Sequence, residues 1–469
     1  MNKFIKNFSY TFTSNIVSFL ISAFITFIIP KKLGVQDYGY FQLYLFYANY
    51  TGFLHLGWAD GIYLRYGGGY YEKLDKAVFS GQFRLYCTIE TVLSIVIAGL
   101  GFTFAPDHEM SLVLLMVGIS VIVSLSRTLW QYILQGTNRI KEYAIMTVTE
   151  KIAYVFIIVV SLVAGLKNFI PIIAADLIGK FCAFLYGSYQ CRDIVFCRPA
   201  KLDEQINEAF KNISVGIKIM FANVASMLIL GIVRQAIEWH WDVEVFGKIS
   251  LTMSISNMLM ILIRAVSMLM FPMLRRIHME KLPELYQKLR VCLMVPLLGM
   301  LIFYYPFKVI ISAWLPQYVD GLIYMAMLFP VCIYESKTSM LIETYMKALR
   351  MEQQLMVTNF ITVGTSFVTT VLTVYVFDDL DLAVTSIVFL MAFRCIIAEK
   401  MLLEKIRISV DKDIILEIVL TVSFIISSWF IGGINGVLIY LVLYILYLMI
   451  KKNELIETMR FIKRSRKSV

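Results

Sequence analysis

Four cations stand where a lipid-embedded helix should carry no charge: Lys218, Arg234, Lys248 and Arg264, spread over two long apolar runs between Lys218 and Arg276. A charge at the bilayer centre costs about 2.5–3.5 kcal/mol on insertion scales, so each must face protein or water. Four in one helical hairpin point to a polar cavity that they line. Arg127 lies in an earlier run, and Lys337 shares a later one with Glu335 and Glu343. Such a basic chamber suits an anion, because Arg grips phosphate through two N–H bonds at once. Glu90 and Glu399 are lone acids in apolar runs; each has either a packing partner or a proton or sodium ion to carry. Asp176 and Lys180, spaced i and i+4, neutralise one another.

Catalytic signals are missing. His55, His108, His240 and His278 are scattered, and no zinc-protease, Walker or Rossmann pattern occurs. Gly67-Gly68-Gly69 lacks the Lys-Ser/Thr of a phosphate loop and reads as a turn. Seven Cys (Cys87, Cys182, Cys191, Cys197, Cys292, Cys332, Cys395) form no C-x-x-C spacing and read as small buried hydrophobes. The pattern calls for no cofactor and no metal, leaving Na+ or H+ as the coupling ion if transport is driven.

The elements that must position these charges are membrane helices. Hydrophobic residues make up 59% and charged ones 16%, with mean hydropathy +0.74, outside the soluble range, where about a quarter of residues are charged. The net charge of +10 belongs to no basic, aromatic-interleaved soluble module, so nucleic acid is not the partner. The expected fold is an all-α integral membrane protein with about fourteen transmembrane helices. Runs long enough to cross a core of about 30 Å lie near 10–30, 38–62, 83–105, 111–133, 144–166, 169–190, 213–237, 245–272, 288–312, 321–345, 354–377, 383–402, 413–432 and 434–450. The first lacks a cleavage signal and reads as a retained helix. Thirty Lys and Arg, Arg290 among them, fall in one set of connections and four (Lys31, Lys32, Lys167, Lys308) in the other, which places both termini in the cytoplasm. The opposite loops are short and acidic, with no room for a catalytic domain.

The chain also repeats itself. Asn15, Gly39 and Asn49 recur as Asn223, Gly247 and Asn257, each 208 positions on, and four aliphatic positions keep the same offset. Two homologous membrane halves follow, with any substrate site at their interface. Residues 1–190 form the N-terminal lobe and 213–402 the C-terminal lobe; 191–212 is a cytoplasmic linker, 403–450 adds two helices, and 451–469 is a basic tail lying against anionic headgroups.

Polar residues within the runs form stripes: Ser120, Ser124, Arg127 and Gln131 in the fourth, and Ser250, Ser254, Asn257 and Arg264 in the eighth. Asn223 and Arg234, eleven apart, share a face of the seventh. Ser14, Ser18, Ser22 and Thr26, like Thr358 to Thr373, serve either close packing or cavity lining. Arg127, Lys218, Arg234 and Lys248 either line the cavity or snorkel to an interface. Lys337 is either a cavity residue or an ion-pair partner of Glu335 and Glu343. Asp60 and Arg65, ending the second run, are gate, interface or ligand residues.

Pro30-Lys31-Lys32-Leu33-Gly34, then Asp37-Tyr38-Gly39, Leu56-Gly57, Gly61-Ile62 and Arg65-Tyr66 carry a resemblance. This opening looks like that of the polysaccharide flippases, the O-antigen and capsule repeat-unit translocases of the multidrug/oligosaccharidyl-lipid/polysaccharide exporter superfamily. The resemblance is specific over about the first seventy residues. It implies two six-helix lobes around a central cavity, two extra C-terminal helices outside it, and alternation between inward- and outward-open states. The implied cargo is a polyprenyl-phosphate-linked oligosaccharide, the implied partners membrane lipids and polysaccharide polymerase or export machinery, and the implied location the plasma membrane. Arg127, Lys218, Arg234, Arg264 and Lys337 are then the candidate phosphate-binding residues, with Asn15, Asn49, Asn223, Asn257 and Tyr47 available for sugar hydroxyls. A cation-expelling multidrug antiporter of the same superfamily would line its cavity with acids, whereas the buried excess here is basic. A membrane glycan polymerase would need a large outer loop.

Overall fold

Backbone N–H and C=O groups find no partners in lipid, so a chain this apolar must satisfy them within helices. The computed structural model describes residues 3–274 and 282–467, without the side chains of 3–12, 15, 259–274 and 461–467. Every element in it is helical. The first part of the chain runs through α1 (Lys3–Lys32), α2 (Val35–Thr51), α3 (Trp58–Tyr66), α4 (Lys76–Phe104), α5 (His108–Gly136), α6 (Ile140–Val163), α7 (Phe169–Gln190), α8 (Arg192–Val195) and α9 (Leu202–His240). The second runs through α10 (Val243–Leu274), α11 (Leu282–Met300), α12 (Tyr304–Trp314), α13 (Val319–Leu322), α14 (Met325–Leu328), α15 (Val331–Ser336), a π-helical stretch Lys337–Ile342, α16 (Glu343–Ala348), α17 (Glu352–Thr370), α18 (Leu380–Ile406), α19 (Asp411–Ile426), α20 (Gly433–Ile450) and α21 (Lys452–Lys467).

The expected runs overlap these helices, and the count of fourteen spans is not reproduced among the described residues. Among the described residues, ten helices are long and apolar enough to cross a membrane, or eleven counting the pair Pro316–Leu322 and Met325–Ala348, which is bent by 56°. Helix starts are set by capping acids. Asp75 accepts from Ala77 N and Val78 N at the head of α4, Asp107 from Met110 N at α5, and Asp379 from Leu382 N at α18.

The chain divides into two compact units, Met1–Val224 and Ala225–Val469, at a point inside α9. The first has a core of Trp58, Tyr86, Val121, Leu125 and Trp130. The second is built on Tyr286, Tyr345, Ile387, Leu390 and Ala398. Most of the expected linker is helical: α8, then the opening turns of α9, which continue without a break into the seventh run. The polar segment Asp203–Phe210 is thus the start of a 39-residue helix.

The repeat is visible in the helix boundaries. α1 ends at Lys32 and α9 at His240; α2 begins at Val35 and α10 at Val243, and both steps are 208 positions. The copies then diverge. The expected single run 38–62 is broken between Thr51 and Trp58, where Leu56 and Gly57 take positive φ of 52° and 78°. Ala265 stands at the position matching Gly57, and α10 runs on to Leu274. A residue with a Cβ disfavours the left-handed conformation that Gly57 adopts freely.

Candidate functional site

In the N-terminal unit, the charges in the spans are placed by three consecutive helices. Arg127 on α5 is half-buried and pairs with Glu150 on α6. Lys151 is 3.5 Å from the same carboxylate. On α7, Lys180 bonds Asp176 at 2.7 Å, as their spacing requires, and Tyr44 of α2 donates to Asp176 at 2.6 Å. The serine stripe of α5 faces protein: Ser120 is buried and lies 3.1 Å from the Ser124 hydroxyl. This cluster of Arg127, Lys151 and Lys180 with Glu150 and Asp176 carries one more cation than anion.

A second polar group joins α3, α4 and α9. A Cβ on Gly61 would lie 1.9 Å from the Asn212 carbonyl, and one on Gly216 1.9 Å from the Gly57 carbonyl, so α3 and the start of α9 meet backbone to backbone. That approach brings Arg65 to Glu208 and to the Asn212 amide oxygen, each at 2.5 Å, while Tyr66 donates to Glu208 at 2.8 Å. Asn212 and Trp58 both donate to the Gln82 amide oxygen of α4, at 2.6 and 3.0 Å. Asp60 accepts from Tyr132 at 3.2 Å and lies 3.7 Å from His55. Beyond the spans, Asp193 accepts from Tyr71 at 2.5 Å and lies 3.1 Å from Lys76. Burial pushes the Asp193 carboxyl up, but the Tyr71 hydroxyl and the Lys76 ammonium outweigh it and hold the group below its ordinary range.

The C-terminal unit holds a closed ion network. Lys337, buried to 1% exposure, pairs with Glu399 of α18 and, at 2.7 Å, with Glu417 of α19. Arg290 of α11 reaches Glu399 at 2.9 Å, Asp413 at 3.0 Å and Glu417 at 2.8 Å, and Tyr286 donates to Glu399 at 2.8 Å. Lys451 pairs with Asp413 and, at 2.7 Å, with Glu454. Arg394 binds Asn359 at 2.9 Å, Glu343 at 3.2 Å and Glu335 at 3.4 Å.

Two sequence readings are corrected here. Lys337 does not pair with Glu335 and Glu343: a residue two positions back faces away on a helix, and Arg394 takes both acids. Glu399 has the packing partners that the sequence offered as one of its two readings. Arg290, counted among loop charges, is 2% exposed inside the helical core. The two C-terminal helices are also tied into the second unit, since Glu417 and Asp413 complete its network.

The remaining candidates are placed as follows. Arg127, Lys218, Asn49 and Asn223 belong to the first unit; Arg234, Asn257 and Lys337 belong to the second. Lys218, Asn49, Asn223 and Asn257 are exposed on their helices. Arg234 is half-buried, donates to the Ser250 hydroxyl at 2.9 Å and sits 5.0 Å over the Phe246 ring. The side chains of Asn15 and Arg264 lie outside the described residues. Sequence reasoning missed Glu150, Arg394, Glu417 and the Arg65–Glu208–Asn212 joint as partners. The available signal was the count of acids inside apolar runs, each of which demands a cation.

No family model and no curated protein matches the chain. Solved structures do. Lipid II flippase MurJ in an inward closed conformation superposes with a TM-score of 0.66 at 12% identity, covering 96% of this chain and all of that one. An inward-facing multidrug resistance MATE family transporter of the MOP superfamily gives a TM-score of 0.60 at 12% identity, over 84% of this chain and 94% of its own. The chain shares the fold of these two proteins. A fold does not fix a function, so the shared architecture accounts for the helix order and leaves the function to the side chains.

Proposed function

We propose that this protein is a flippase that carries a polyprenyl-phosphate-linked oligosaccharide repeat unit across the plasma membrane by alternating access, for surface polysaccharide assembly. The observation that carries this reading is the pairing of a flippase-type fold over 96% of the chain with cations set in its apolar helices. Arg127, Lys218, Arg234 and Arg264 are the proposed phosphate-facing set, and Asn15, Asn49, Asn223 and Asn257 serve the sugar hydroxyls. Lys218 and the half-buried Arg127 and Arg234 keep surface available to an anion. Lys337, held by two carboxylates, supports the site through the helices it ties together. The headgroup is carried by these residues while the prenyl chain stays in lipid, both termini are cytoplasmic, and the polymerase or export machinery takes the product.

A multidrug exporter is the second reading, favoured by the MATE likeness. The test is reconstitution. Liposomes containing the protein and a fluorescent lipid-linked oligosaccharide are exposed to a membrane-impermeant quencher. Protected label should become accessible with the protein, and Lys218→Glu and Arg234→Glu should each slow that rate by about tenfold or more, the effect of losing one charge-assisted phosphate contact. Unchanged rates in both variants, or transport of cationic dyes alone, would overturn the reading.

A further inference from the structure

Among the described acids set deep in the helices, Glu150, Asp176, Glu399 and Glu417 each have a basic group within 4 Å. Glu90 of α4 has none among the described residues, and it is 1% exposed. Its Oε2 accepts no hydrogen bond. The same is true of two more buried atoms on α4, the Tyr86 hydroxyl and Gln82 Nε2, which make none. Gln82, Tyr86 and Glu90 are spaced four apart and therefore share one face of the helix. Three orphaned polar atoms in a row are not needed to pack α4 against α5, since apolar groups of the same shape would pack there at lower cost.

The groups around this line are polar but offer no cation to Glu90. On its own helix are Tyr86 and Cys87, the thiol lying 3.3 Å from the Ser126 hydroxyl of α5, and Arg84, whose guanidinium turns to the Cys197 carbonyl. From α3, Asp60 lies within electrostatic reach of Tyr86, as does Tyr132 of α5. The cation of α5, Arg127, is committed to Glu150. From α8, Asp193 meets the Lys76 end of α4, where Arg192 also lies. From α9, Asn212 bonds Gln82. The line thus runs from Glu90 through Tyr86 to Gln82, then by hydrogen bonds through Asn212 to Arg65 and Glu208, beside the exposed Lys211.

We propose that Glu90 is a proton-binding site of the N-terminal unit, taking one proton onto its carboxylate when the transporter is open to one side and releasing it to water on the other. An uncompensated carboxylate buried at this position is costly, whereas the neutral acid is not, so the charge state of Glu90 and the exposure of its surroundings must change together. This assignment deepens the transport reading above and rests on it.

The test uses the full chain in lipid nanodiscs and in liposomes. Infrared difference spectra taken across a pH titration should show, in the wild type, a carboxylic-acid carbonyl band that vanishes in Glu90→Gln and shifts in Glu90→Asp. Identical spectra in all three would overturn the proposal, and so would a band that follows Na+ instead of pH. In liposomes, one proton moved across one pH unit is worth about a factor of ten. An imposed gradient should accelerate wild-type movement of the lipid-linked oligosaccharide by up to that factor and leave the Glu90→Gln ratio near one; equal acceleration of both would also overturn it. If no oligosaccharide moves but the Glu90 band still titrates, the cargo reading fails and the proton site stands. If oligosaccharide moves and no band is lost, the reverse holds.

Discussion

The buried charges of the two units are arranged on different principles. In the C-terminal unit, Arg290 and Lys337 face Glu399, Glu417 and Asp413, and Lys451 faces Asp413 and Glu454, so that each of the three cations has at least two opposite partners. In the N-terminal unit, Arg127 has one carboxylate, shared with Lys151, and Glu90 has no cation among the described residues. A closed network satisfies its charges and holds them in place; it binds helices together and offers little to a ligand. An open set retains charge that a ligand or proton can answer. The second unit therefore reads as the better-braced half, and the first as the half whose protonation can change.

The largest effect should come from opening the closed network. Lys337→Met leaves Glu399 and Glu417 to Arg290 alone and should destabilise the protein by about 3–5 kcal/mol, the range for breaking a buried ion pair. Thermal unfolding in detergent measures it. Adding Glu417→Gln to Lys337→Met should recover part of the loss, because the surplus charge is removed. A Lys337→Met protein as stable as the wild type would erase the distinction between the units.

Arg127→Gln should cost less, about 1–2 kcal/mol, since Glu150 keeps Lys151 and the pair is partly reached by solvent, with Arg127 at 17% side-chain exposure. The same unfolding assay separates it from Lys337→Met. Glu90→Gln should cost least. Replacing an acid that has no cation by its neutral isostere should leave the melting temperature unchanged or raise it slightly, within about 0.5 kcal/mol. A loss comparable to that of Lys337→Met would mean that Glu90 is structural, and would place the two units on the same footing.

Much of the fold was legible in the chain because apolar run length is a local property. The runs and the 208-residue repeat are written in consecutive residues, and the α1/α2 and α9/α10 boundaries keep that 208-residue step. The break at Leu56–Gly57 was not read from hydropathy, which averages over it. The opening motif proves to be largely a set of joints. Asp37 accepts from the Phe169 amide at the head of α7 at 3.1 Å, Gly57 and Gly61 admit α9, and Arg65 and Tyr66 hold Glu208. The candidate site was less legible, because a charged residue in a span announces only that it needs company. Which company depends on residues up to 147 positions away, as for Arg65 and Asn212.

Sequence alone determined that this is a membrane protein of many helices, built from two copies of one plan, with more basic than acidic charge. Those properties follow from composition and spacing along the chain. Only the tertiary structure decided which charges are spent on one another: that Lys337 and Glu399 neutralise each other with Arg290 and Glu417, and that Glu90 meets no cation among the described residues. The physical reason is that electrostatic energy in a low-dielectric interior depends on distance through space, and distance through space is set by how helices pack.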